Sequence, residues 1–159
     1  MAAVKGMAIS GKPCGSVLLL AASTWQKSGG YFFKFSSGYA TQCSATDSQV
    51  AGWVDIGFDP SDTNVSSGLL TVPATTTEKY RFPYIAAKDI IARIPADSTV
   101  VASLGGLARD IVIASSKQSV DVGTATSGYS PLIIIAPNQD DIDEQMVRVY
   151  VRPVKYQIA

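Results

Sequence analysis

The chain reads as an all-β protein, a compact β-sandwich or barrel with an irregular N-terminal arm. Three observations support this. Short β-patterned runs follow one another from residue 16 to residue 156, separated by Gly, Pro, Ser, Thr and Asp. No stretch shows a sustained helical period with caps. The hydrophobic fraction is 47% and the charged fraction 16%, the make-up of an apolar globular protein rather than a disordered one. A length of 159 residues suits one domain, large enough to bury a core without staples.

Residues 1–15 contain Gly6, Gly11, Pro13 and Gly15 and read as an arm, leaving residues 16–159 as a single β-rich domain. Residues 16–22 follow as a buried strand. Gly29-Gly30 is a turn signal, and residues 31–35 place Tyr31, Phe33 and Phe35 on one face. Ser36-Ser37-Gly38 turns the chain into a strand over residues 39–43. Residues 49–58 alternate, with Val50, Gly52, Val54, Ile56 and Phe58 opposite Trp53 and Asp55. Residues 59–64 are a polar loop, residues 69–72 a short strand, and residues 75–77 a polar link.

Residues 78–85 set Tyr80, Phe82 and Tyr84 against Lys79, Arg81 and Ile85. Pro83 has no donor for a ladder, which predicts an edge strand or a bulge. Residues 88–94 are read as a strand because Pro95 and the strand-rich surroundings oppose a helix. Residues 99–104 are β-like. Gly105-Gly106 interrupts, and residues 111–113 and 120–122 resume the pattern. Residues 131–136 are apolar on both faces, as in a central strand. Residues 138–145 read as an acidic loop. Residues 146–152 alternate Val147, Val149 and Val151 with Arg148, Tyr150 and Arg152. The expected core holds Val54, Ile56, Ile111, Ile113, Leu132, Ile134, Val147, Val149 and Val151.

Composition excludes several chemistries. The chain has no histidine, so Ser-His-Asp and Cys-His catalysis are absent. Two cysteines, Cys14 and Cys43, cannot close a zinc site, and they are expected as free thiols. Residues 6–12 fit the opening of a phosphate-binding loop, but Pro13 stands where Ser or Thr is needed, and neither flanking strand nor long helix is patterned. The run Asp140-Asp141-Ile142-Asp143-Glu144 lacks the spacing and glycine of a calcium loop. A Ser–Lys dyad at Ser115, Ser116 and Lys117 lacks the Ser-x-x-Lys phrase. The expectation is therefore no enzyme, no cofactor and no metal. Zero formal net charge, from 13 basic and 13 acidic residues, argues against nucleic acid and against an anionic membrane. No export signal is patterned, and the longest apolar run is too short to span a bilayer.

A series of phrases carries a resemblance. Gly38-Tyr39 leads into Cys43-Ser-Ala-Thr-Asp47 and Val50-Ala-Gly-Trp53. Later come Arg81-Phe-Pro83, Leu104-Gly-Gly-Leu-Ala-Arg-Asp-Ile111, Lys117-Gln-Ser-Val-Asp-Val122 and Val147-Arg-Val-Tyr-Val-Arg-Pro-Val-Lys-Tyr-Gln157. In style and order, residues 15–157 resemble the small head decoration, or cement, proteins of tailed bacteriophages. The resemblance implies a virion structural protein on the outer capsid surface, made in the host cytoplasm. It also implies attachment to the major capsid protein and self-association as a homotrimer, without catalysis. Candidate contacts are Lys5, Met7, Ile9 and Lys12 in the arm, Asp59, Asp62 and Asn64 in the polar loop, and Pro83. Two rival readings remain open at this point. One is another phage part, such as a tail, head-completion or fibre module. The other is a carbohydrate-binding β-sandwich with Trp25, Trp53 and Tyr129 as its platform.

Overall fold

The structure is a computed structural model and describes residues 6–26, 29–56, 69–114, 117–123 and 129–157. Its strands are β1 (Met7–Ser10), β2 (Pro13–Leu18), β3 (Thr24–Gln26), β4 (Gly30–Ser36), β5 (Tyr39–Gln42), β6 (Gly52–Asp55) and β7 (Leu69–Thr71). Then follow β8 (Arg81–Ala86), β9 (Ile91–Pro95), β10 (Ala108–Arg109), β11 (Ile111–Ala114), β12 (Lys117–Val120), β13 (Leu132–Ile134) and β14 (Met146–Val151). One helix, α1 (Gln139–Glu144), lies between β13 and β14.

Two antiparallel five-stranded sheets make the body, ordered β1-β9-β14-β13-β10 and β2-β8-β6-β4-β5. Two ribbons, β3-β7 and β11-β12, complete it. The all-β sandwich is thus the architecture, and no barrel closes among the described residues. The second sheet does curl: Leu19, just past β2, bridges Ala40 on the opposite edge in parallel, and Leu20 N–H donates to Ala40 O at 3.0 Å.

Two rows in that sheet explain the core. Phe32, Trp53 and Ile85 are cross-strand partners and enter the cluster shared with the first sheet. There they meet Ala92, Ile94, Leu132, Ile134, Val147, Val149 and Val151. The neighbouring row, Tyr31, Val54 and Tyr84, points the other way. It packs with Phe33, Phe35 and Phe82 and with Trp25 and Val72 from around the β3-β7 ribbon. The second sheet is therefore covered on both faces, and the expected common face of Tyr31, Phe33 and Phe35 is found. Edge-to-face stacking locks both layers, with Phe32 and Trp53 centroids 4.9 Å apart and Trp25 and Tyr31 5.0 Å apart. Gly52 is required here, because a Cβ would lie 2.2 Å from Ile85 O.

Eight of the nine expected core residues are buried; Ile113 is only partly so, because it shares the inner face of the β11-β12 ribbon with buried Ile111 but lies nearer the ribbon's exposed end. Val50 departs from its expected side: it joins the inter-sheet cluster while Val54 joins the other. The β6 ladder begins only at Gly52, so the alternation breaks before it.

Four further expectations are corrected. The arm is not irregular over its described part: β1 pairs with β9, and β2 begins at Pro13 against β8. Residues 138–145 form a capped helix rather than a loop. The Asn138 side chain accepts from Asp141 N–H at 2.8 Å, and Asp141 accepts from Asn138 N–H at 3.2 Å. Residues 102–104 form a 3-10 turn rather than a strand. Finally, β8 is not an edge, for β2 lies outside it. Ala87 N–H donates to Ala51 O, so by alternation Pro83 turns its nitrogen to the β6 side, where that ladder ended at Tyr84. The bulge lies in the partner strand, between Pro13 and Gly15.

Candidate functional site

Three of the sequence-derived contact residues, Met7, Ile9 and Lys12, lie in or just after β1. On β1, Met7 and Ile9 are each 49% exposed, while Ala8 between them packs on the inter-sheet core. β1 is the edge of its sheet, and the register shifts between Ala8 and Ser10, so Ile9 is the extra residue. The start of the strand is tied down, because Gly30 N–H donates to Gly6 O at 3.2 Å.

Gly11 and exposed Lys12 carry the chain from one sheet to the other. Gly11 has φ 116°, and a Cβ there would lie 2.7 Å from Ile85 Cγ2 and 2.8 Å from Asp89 O. This crossing therefore needs glycine, and the residue that suggested a phosphate loop serves a strand crossing. Pro83 is exposed but lies one strand inside the edge of its sheet. Lys5, Asp59, Asp62 and Asn64 lie outside the described residues, as do Ser115 and Ser116.

The acidic run does structural duty. Asp141 is 1% exposed and accepts from Arg93 Nε at 3.2 Å and Arg148 Nε at 3.0 Å. Arg93 also reaches Glu144 at 3.0 Å. Burial alone would raise the Asp141 pKa. The Asn138 N–H and the two guanidinium groups outweigh it and hold the carboxyl below its ordinary value. Among the described residues no three His, Cys, Asp or Glu side chains gather as a metal site.

A shallow polar cleft of about 360 Å³ is lined by Lys34, Phe35, Ser36, Thr46, Asp47, Ser48, Gln49 and Gln157. Its main charges are already matched: Lys34 pairs with Asp47, which also accepts from Ser44 N–H at 2.7 Å. Cys14 is exposed and Cys43 buried, both as free thiols. The sugar platform is not assembled. Trp25 and Trp53 are fully buried, their indole N–H groups donating to Ser23 Oγ at 2.7 Å and Asp55 Oδ1 at 3.0 Å. Among the described residues no helix is long and apolar enough to cross a membrane.

The sequence reading passed over the outer face of the first sheet. Its row of Ile133, Tyr150 and Ile91 adjoins the β1 edge through the pairing of Ile91 with Ser10. The signal was present, since alternation over residues 146–152 already put Tyr150 on the outer side. No protein-family model, curated protein or solved structure matches the chain.

Proposed function

We propose that the chain is a virion structural protein, a decoration or cement protein that binds the outer surface of a phage major capsid lattice, as a homotrimer, and stabilises the head. The observation that carries this reading is the β1 edge, where Met7 and Ile9 stand half exposed on a strand with one side unpaired among the described residues. An apolar edge of this kind is a liability in isolation and an asset against a fixed neighbour. A capsid offers each copy that neighbour at high local density, so moderate contacts repeated over the shell suffice. Assembly in the reducing host cytoplasm fits the two free thiols.

Another phage part, in tail, head completion or fibre, is the second reading, because the same edge would serve a neighbour there. Copy number per particle separates the two, because decoration proteins number in the hundreds. The carbohydrate reading loses its footing with the burial of Trp25 and Trp53.

The test is mechanical. A protein that binds the assembled shell stabilises it by linkage. Heads lacking the chain are expected to form normally yet release DNA at lower temperature. Added protein restores them and saturates at a fixed number per shell. Identical heat release of DNA with and without the protein rejects the stabilising role.

A further inference from the structure

The first sheet has one face in the core and one face outward. On the outward face Ile133, Tyr150 and Ile91 are successive cross-strand partners, and Ala108 extends the row onto the β10 edge. Tyr150 is 40% exposed, and the two isoleucines are half-buried. On β1 the row ends at Ser10, and the neighbouring row sets exposed Met7 opposite Arg93, itself opposite Arg148. The free face of an antiparallel sheet is ordinarily polar. A contiguous apolar one, rimmed by charge, marks a surface that another molecule covers.

The rim chooses the molecule. Val147, Val149 and Val151 point inward, so Arg148 and Arg152 flank Tyr150 on the outer side. Arg148 is held by Asp141. Arg152 makes no ion pair among the described residues, and its Nη1 donates to Ser130 O at 3.3 Å. A second copy laid face to face about a twofold axis would bring Arg152 against its own image, a like-charge contact that disfavours that pairing. A polyanion would meet exposed Asp140 and Glu144 on the adjoining helix, and the aliphatic row offers one ring for stacking. A protein surface with an apolar centre and a carboxylate at its margin satisfies both the row and Arg152. Tyr and Arg are also the residue types that concentrate binding energy when desolvated.

We infer that this outer face, centred on Tyr150 between Ile91 and Ile133 with Arg152 at its margin, docks an apolar protein surface bearing a carboxylate. The inference rests on the capsid reading, under which that surface belongs to the major capsid protein.

The experiment uses the full chain and empty heads of the phage that encodes it, prepared without this protein. Binding is followed by co-sedimentation at low and high salt for the unaltered protein and for Tyr150→Ser, Arg152→Glu and Arg152→Lys. Thermal melting checks that each variant is folded. Tyr150→Ser and Arg152→Glu are expected to weaken half-saturation by about tenfold or more. Arg152→Glu also removes salt dependence, while Arg152→Lys stays within a few-fold of the parent. If both disruptive variants fill the heads as the parent does, the face is wrong and the capsid reading stands. If the unaltered protein binds no heads, both fall. Two other outcomes assign the face elsewhere and overturn the inference: loss of self-association in sedimentation velocity, or loss of binding to a single-stranded oligonucleotide, with head binding intact.

Discussion

Gln118 bridges the backbone pair of Phe32 and Cys43, of which the strands keep only one direct hydrogen bond, Cys43 N–H to Phe32 O at 3.1 Å. Its Oε1 accepts from Phe32 N–H at 2.8 Å, and its Nε2 donates to Phe32 O at 2.7 Å and to Cys43 O at 2.9 Å. Gln157 holds Phe35 on the other edge of β4. Its Oε1 accepts from Phe35 N–H at 2.7 Å, and its Nε2 donates to Phe35 O at 3.2 Å. Each amide stands where a ladder has run out: β5 pairs only from Phe33 onward, and β6 only as far as Phe33.

Removing the first amide leaves buried backbone groups unpaired. Gln118→Ala is expected to cost about 1–3 kcal/mol in urea unfolding. Gln157 is half-buried, so water can replace its amide, and Gln157→Ala is expected to cost less. Equal losses would show that burial does not govern these contacts.

Asp141 makes stability depend on acid. Its folded pKa lies below its unfolded value, which is about 3.9. Its contribution is fully present above about pH 4 to 5 and is lost as pH falls through the folded pKa. Stability measured from pH 6 downward should decline in that window, and Asp141→Asn should remove part of the decline. At neutral pH that variant leaves Arg93 and Arg148 without their shared carboxylate and is expected to lose about 2–4 kcal/mol, short of a fully buried pair because both arginines are partly exposed. A pH profile unchanged by the substitution would count against the ion triad.

Two isoleucines on short strands should behave differently. Ile134 is 1% exposed in the inter-sheet cluster, and Ile134→Ala should cost about 2–5 kcal/mol through the cavity it leaves. Ile113 is half-buried on the β11-β12 ribbon, and the same change should cost about 1 kcal/mol or less. Chemical denaturation of both variants reads the contrast directly.

The thiols should react in two stages. Cys14 is exposed, whereas burial, aided by the Asp47 carboxylate and opposed by Lys34, pushes the Cys43 thiol far up. A maleimide label at neutral pH should modify one cysteine in the native protein and both in denaturant. Two rapid equivalents without denaturant would mean that Cys43 is not enclosed.

Deleting residues 1–15 should destabilise the protein broadly. The deletion strips β1 from one sheet and the first half of β2 from the other. A cooperative unfolding transition at unchanged temperature in the truncated protein would show that these pairings are dispensable.

Much of the sheet pattern is readable from local chemistry. Alternation locates β14, β6 and the common face of Tyr31, Phe33 and Phe35. Ser37 and Gly38, with φ 51° and 84°, form the two-residue hairpin turn that Ser36-Ser37-Gly38 announces. What escapes is set by partners distant in sequence. A six-residue helix is too short for a period, and its capping box uses Asp rather than Glu or Gln as the third residue. The glycine-rich start looks loose until β8 and β9 fix it. Trp25 and Trp53 look available for stacking until two layers close over them. Of the candidate contacts, Met7 and Ile9 lie on an exposed edge, while Pro83 is interior to its sheet.

The insertion of β14 between β9 and β13 has a consequence for biosynthesis. The first sheet cannot assemble until the last strand leaves the ribosome, and Gln157 secures Phe35 across 122 residues of chain. At about 5–20 residues per second, β1 and β2 wait roughly four to eighteen seconds for β9 and β8. A nascent chain stalled before Met146 would hold β9 and β13 with no strand between them. Its apolar segments would then be open to any passing chain, which makes the emergence of β14 the step that commits this sheet to its fold.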